Sequence, residues 1–115
     1  MGFKSDLDAL ILAVLEESPA HGYEIARRVK QLSASALELG ENRLYPSLKT
    51  LEESNFVGSV WEPQDGKPPR KIYQLTPHGR RELEAKRSSW VTFSEAVNSV
   101  LIPGMKVGVR DGKVS

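Results

Sequence analysis

The 115-residue chain has no cysteine, and this absence removes disulfide scaffolds, thiolate metal sites and cysteine nucleophiles from consideration. A reducing compartment fits such a chain, so a cytoplasmic location is expected. Long apolar runs are missing too. The longest, "ALILAVL" at residues 9–15, falls far short of the ~20 residues a membrane span needs and lacks the basic start of a secretion signal. No membrane partner is expected. The two histidines, His21 and His78, stand far apart and beside no run of carboxylates, which gives a metal site or other cofactor no support. There is no glycine-rich phosphate loop and no serine elbow. Glu52 and Glu53, neighbours on a helix, point ~100° apart and make a poor acid and base pair. An enzyme is not expected, and a small hydrolase using Glu and His is the remotest reading.

What remains is an ordinary soluble composition, 39% hydrophobic and 27% charged, in a length that suits one packed domain. Its charge is unevenly placed. Residues 1–62 hold six Lys or Arg against ten Asp or Glu, whereas residues 63–115 hold ten against five. Within "PQDGKPPRKIYQLTPHGRR", Lys67, Arg70, Lys71, Arg80 and Arg81 face only Asp65. Such a concentrated cationic stretch suits a polyanion. The plainer alternative is a solvated run balanced by the acidic half.

Hydrophobic spacing divides the chain into elements. Ser5 with Asp8 three positions on signals a helix start, followed by a stripe of Leu7, Leu10, Ile11, Val14 and Leu15. In "HGYEIARRVKQLS" a second helix buries Tyr23, Ala26 and Val29, with Ile25 and Leu32 less regularly, and keeps Arg27, Arg28 and Lys30 wet. Leu37 and Leu39 alternate with polar neighbours in the connector, as a very short strand would. The segment "ENRLYPSLKTLEESNFV" then places Leu44, Leu48 and Leu51 on one face at i, i+4 and i+7. Its far side gathers Asn42, Arg43, Pro46, Lys49, Thr50 and Glu53, flanked by Tyr45 and Ser47. Pro46 has no amide hydrogen, so this helix is expected to start close to Arg43, and Asn55 is the expected left-handed cap at its end.

Two extended runs, residues 57–62 and 71–75, come next, rich in valine, isoleucine and aromatics. The separator "PQDGKPPR" is longer than a tight turn and would project as a stiff cationic tip. Thr76 then caps a helix with Pro77 at its first position. Along it Leu83, Trp90 and Val97 lie seven apart, with Phe93 and Val100 in the complementary register and Lys86 interrupting the seam. A seam of that kind wants a partner. The order is that of a winged helix-turn-helix: mainly α with a small β-hairpin. Residues 1–76 would bind DNA, 77–102 form a C-terminal dimerisation helix, and 103–115 a flexible tail.

In that arrangement the third helix, about 43–54, enters the major groove, and the hairpin, about 57–75, lies on the neighbouring backbone. Arg43, Lys49, Thr50 and Ser47 become candidates for base edges or phosphates, and Tyr45 for a phosphate. Pro46 either joins them or only sets the helix start. Lys67, Arg70 and Lys71 become candidates for phosphate neutralisation. A winged-helix protein interaction module without DNA binding is the competing reading.

In this order and spacing, "HGYEIARRV", "RLYPSLKTLEESNFV" and "KPPRKIYQLTPHGRREL" resemble the PadR family of bacterial transcriptional regulators, over about Leu7 to Leu83. The resemblance implies a DNA-binding homodimer that usually represses its target from a palindromic operator on double-stranded DNA. It also implies a dimer interface made by the C-terminal helix with help from the first helix of the other subunit. Here Leu7, Leu10, Leu83, Trp90, Phe93, Val97, Val100 and Leu101 are the candidates. Some members stack flat aromatic effectors at that interface, which makes Trp90 and Phe93 candidates for a small aromatic effector, against the plainer reading as interface anchors. Arg43 stands where the family often has a small capping residue, and Asn55 replaces the usual glycine. The stretch beyond Ile102 has no recognisable family counterpart.

Overall fold

The computed structural model describes residues 3–104, and of residues 3–6 only their helical course. Its elements run α1 (Phe3–Glu17), α2 (Gly22–Leu32), α3 (Glu41–Glu53), β1 (Val57–Gln64), β2 (Lys67–Leu75) and α4 (Pro77–Leu101). The helix α1 starts two residues ahead of Ser5, so Ser5 lies inside it rather than at its cap. Ile11, Leu12, Val14 and Leu15 of α1 fill the centre of the core. Around them close Ala20, Ile25 and Val29, the α3 leucines 44, 48 and 51, then Val57, Tyr73 and Leu83. Leu12 falls outside a single apolar stripe, yet it is fully buried because α1 packs against α2, α3, α4 and β2 at once.

Three expectations about local structure need correction. The first concerns α2: Gly22, Ile25 and Val29 form its buried edge, whereas Tyr23 is 70% and Leu32 74% exposed. Arg28 is also less wet than its charge suggests, since its guanidinium donates to the Glu24 carboxylate and to the Ser18 carbonyl. Secondly, Leu37 and Leu39 form no strand. Ala34 (φ 53°) and Ser35 (φ 69°) take left-handed backbone in succession, which turns the chain sharply just ahead of them. The strand-like pairing falls instead at Ala20, whose amide and carbonyl exchange hydrogen bonds of 3.0 and 2.9 Å with Tyr73 of β2.

The hairpin is the third correction. Its ladder runs from Val57 opposite Leu75 to Gln64 opposite Lys67, leaving only Asp65 and Gly66 to turn. Gly66 supplies the left-handed conformation, φ 67°, that this close turn requires. Prolines 63, 68 and 69, which argued for a loop, are tolerated because a two-stranded ribbon leaves outward amides unpaired, and the register shifts between Glu62 and Gln64.

Helix ends behave closer to expectation. The α3 helix finishes in a left-handed Asn55 (φ 64°), with the Phe56 amide donating to the Leu51 carbonyl and the Asn55 amide to Glu52. Its start lies at Glu41, so Pro46 sits in the second turn rather than the first. The cost is one missing amide for the Asn42 carbonyl, on the exposed side. Thr76 caps α4: its hydroxyl oxygen accepts from the Gly79 amide at 2.9 Å, and Pro77 opens the helix.

Candidate nucleic-acid interface

The outer side of α3 is open. Asn42, Arg43, Tyr45, Pro46, Lys49, Thr50 and Glu53 are exposed, and Ser47 is half-buried at the margin. Lys49 reaches Glu53 one turn on at 3.5 Å, and the Thr50 hydroxyl donates to the Pro46 carbonyl at 3.1 Å. Both contacts are weak surface interactions that a nucleic acid can replace. Tyr45 packs on the scaffold and stays partly exposed. A Cβ on Gly22 would lie 2.5 Å from its hydroxyl oxygen and 2.6 Å from its ring, so the hydroxyl end of the ring packs against that glycine while the residue stays 44% exposed. Gly22 therefore docks the start of α3 on the start of α2, a link between the HGY and LYP triplets that neither reveals alone.

The amino end of α2 carries residues that periodicity misjudged. His21 caps the helix by accepting the Glu24 amide on Nδ1 at 3.3 Å, and Tyr23 stacks beside it with ring centroids 6.2 Å apart. Burial, then the charge of Arg70 on the hairpin, push the His21 imidazole below its ordinary pKa. Arg70 is thus within electrostatic reach of this end of α2. Hydrogen bonds from Arg27, then Arg28, hold the Glu24 carboxyl down at about 2. Because the folded pKa lies below the ordinary 4.5, this cluster stabilises the fold fully above about pH 4.5 and loses that contribution as pH falls toward 2. Urea midpoints of wild type and Glu24→Gln should therefore differ at pH 7 and draw together progressively as pH falls from about 4.5 toward 2. A difference that grows in acid would contradict the pairing.

On the hairpin, Lys67 is exposed and makes no ion pair among the described residues. Arg70 is exposed and pairs across the ladder with Glu62 at 3.0 Å. Lys71 differs: it is turned toward α3 and bonds Glu52 at 3.1 Å. Nothing in the pattern of residues singled out Glu52 as its partner.

The interface candidates on α1 and α4 separate into two groups. Leu7 and Leu83, expected at a dimer contact, are 5% and 1% exposed within their own chain and serve its core instead. Leu10 is half-buried, packed on that core. Farther along α4, Trp90, Phe93, Val100 and Leu101 are exposed and Val97 half-buried, with the Trp90 and Phe93 rings tilted together at 6.0 Å. Leu83 ends on the inside because α4 leans on α1 over its first three turns, where Glu16 of α1 takes Arg80 at 3.2 Å and Arg87 at 2.9 Å. The segment after Gly104 lies outside the described residues. Among the described residues no His, Cys, Asp or Glu group could hold a metal, and no helix is long and apolar enough to cross a membrane.

Residues 11–85 match the family model described as the transcriptional regulator PadR-like family. A PadR family transcription regulator from Clostridium difficile R20291 is 34% identical, with a TM-score of 0.71 over 83% of this chain and 97% of that one. Bacillus subtilis PadR in complex with operator DNA is 29% identical, with a TM-score of 0.64 over 70% and 44%. The curated negative transcriptional regulator PadR of Bacillus subtilis is 30% identical over 73 residues, 64% of this chain but 40% of that protein. This chain therefore spans well under half of that relative's length. It belongs to the transcriptional regulator PadR-like family and has the winged helix and long C-terminal helix of the PadR structures it matches.

Proposed function

We propose that the protein is a cytoplasmic, homodimeric repressor that reads a palindromic operator with two copies of α3. The observation that carries this reading is the open strip of α3, Arg43, Lys49 and Thr50 with Tyr45 at its margin, beside a hairpin bearing Lys67 and Arg70. Cations and short hydroxyls together on one exposed helix face suit base edges and phosphates in a major groove. The solved PadR–operator complex supports it by likeness of fold. Residues 1–76 form the DNA-binding unit in this reading, and the distal half of α4 up to residue 102 pairs with its symmetry mate. Two half-sites then lie about 10 base pairs apart or a multiple of that. Tyr23, exposed at the start of α2, joins the backbone contacts. The Trp90 and Phe93 rings anchor the pairing, and a small aromatic effector would act by stacking on them.

Binding to DNA upstream of its own gene should be selective and should weaken steeply as salt rises. Lys49→Ala should narrow the gap between operator and random DNA, by a factor equivalent to about 1–3 kcal/mol for a lost base contact. Lys67→Ala should weaken both about equally. Gel-shift titrations with both DNAs at two salt concentrations check this, and the opposite pattern would exchange the two assignments. A dimer that retained no genomic fragment but co-purified with one acidic protein would favour an interaction module instead.

A further inference from the structure

Lys71 is the one wing cation whose ammonium is drawn inward. Glu52 binds it at 3.1 Å through Oε1, while Oε2 accepts the Ser59 hydroxyl at 2.5 Å. The ammonium also lies 5.8 Å from the Trp61 ring centroid and 5.6 Å from that of Tyr73. In the ladder Ser59 faces Tyr73 and Trp61 faces Lys71, so these four side chains share one side of the hairpin. Glu52, in the last turn of α3, closes that box from the helix.

We infer that Glu52 is a positioning residue for DNA binding: by gripping Lys71 and Ser59 it sets the wing's angle against α3, and Lys71 is an anchor, not a phosphate contact. This rests on the DNA-binding reading above. The charge balance of the box supports it. Glu52 and Lys71 sum to zero, so bringing the pair to a phosphate releases no counterion and carries a carboxylate toward an anion. Lys67 has no carboxylate partner among the described residues, and the Arg70–Glu62 pair lies within the outer ribbon, more exposed than this one and not joined to α3. The titration directions agree: the Ser59 hydroxyl and then the Lys71 ammonium hold the Glu52 carboxyl below its ordinary value, and Glu52 raises Lys71.

The test uses fluorescence anisotropy with a genomic fragment retained by the wild-type protein, titrated from low to moderate salt. The proteins are wild type, Lys71→Met, Glu52→Gln, Lys67→Met and the exchanged double variant Glu52→Lys with Lys71→Glu. Glu52→Gln keeps an acceptor for Ser59 and nearly the same shape, so it stays folded where a truncation would not, and thermal melts confirm this for each variant.

Lys71→Met and Glu52→Gln should each weaken operator binding about tenfold, the combined effect of one partly exposed pair in each half-site. The slope of log affinity against log salt should stay at the wild-type value in Lys71→Met. Lys67→Met should flatten it by about two for a dimer. The exchanged pair should recover most of the lost affinity. A Lys71→Met slope as flat as that of Lys67→Met would overturn the inference, as would tighter binding by Glu52→Gln or no recovery in the exchanged pair. Those outcomes leave the DNA-binding reading standing; a wild-type protein with no selective, salt-dependent binding overturns both.

Discussion

Gly79→Ala should cost about 3 kcal/mol, the upper end for an overpacked site, and lower Tm by roughly 12 °C. Gly79 is buried at the start of α4, and an added Cβ would overlap the Phe56 carbonyl oxygen while lying 2.8 Å from its carbon and 2.9 Å from Leu75 Cδ1. Retreat is blocked. The Phe56 carbonyl accepts from the Thr76 amide at 3.2 Å and its hydroxyl at 3.1 Å, and that same hydroxyl donates to the Asn55 carbonyl at 2.7 Å. Moving Phe56 would therefore loosen both the end of α3 and the cap of α4. Gly58→Ala is the matched control, since its nearest obstacle is Thr76 Cγ2 at 4.0 Å and the new methyl would fit. Thermal melts of the two variants, followed by circular dichroism, should separate widely. Similar midpoints would mean that the α3–α4 junction is far softer than its hydrogen bonds suggest.

The second large effect concerns self-association. Replacing Trp90 and Phe93 together by Ala should weaken the proposed dimer about 100-fold or more, since aromatic anchors at the centre of an interface commonly contribute 2 kcal/mol or more each. Both rings are exposed in the single chain, 49% and 39%, so their loss should barely change the stability of the monomer's own core. Sedimentation velocity at micromolar concentration should then show a monomer where wild type runs as a dimer, with operator affinity falling in parallel. A double variant that still sediments as a dimer would place the contact elsewhere on α4.

Much of the architecture was legible because it is written in local rules. Leucines 44, 48 and 51 at helical spacing, Thr76 followed by Pro77, and Asn55 ahead of Phe56 each declare their geometry within about two helical turns, and all three appear in the structure. The misjudged positions depended on distant partners. Tyr23 fits the apolar period of α2, but Gly22 occupies the buried edge, where the Tyr45 ring covers it from another helix. The left-handed pair Ala34 and Ser35 carries no glycine or asparagine to announce it. In the hairpin, three prolines outweighed the Asp65-Gly66 turn signal, although prolines exclude a central strand far more strongly than an edge.

The candidate site divides along the same line. Which side of α3 faces outward follows from its leucines alone, and Arg43, Lys49 and Thr50 lie on it. The separation of Lys71 from Lys67 and Arg70 could not be read from the chain, because its partner Glu52 stands 19 positions away and is just as plausibly an exposed helix carboxylate. Leu83 was assigned to a dimer contact for a related reason, whereas Leu7 was placed there by the family resemblance alone. A heptad spacing says which residues share a face, but not how far along that face the chain's own core extends.

The double grip of Glu16 on Arg80 and Arg87 has a mechanical consequence. It ties the near end of α4 to α1, and the Trp90 and Phe93 rings sit roughly 20–24 Å along the helix from its start at 1.5 Å per residue. Swinging that length by ten degrees displaces its end by roughly 4 Å, close to one nucleotide step along a strand. Small angular adjustments where two subunits meet are thereby magnified into a choice of which grooves can be reached at once.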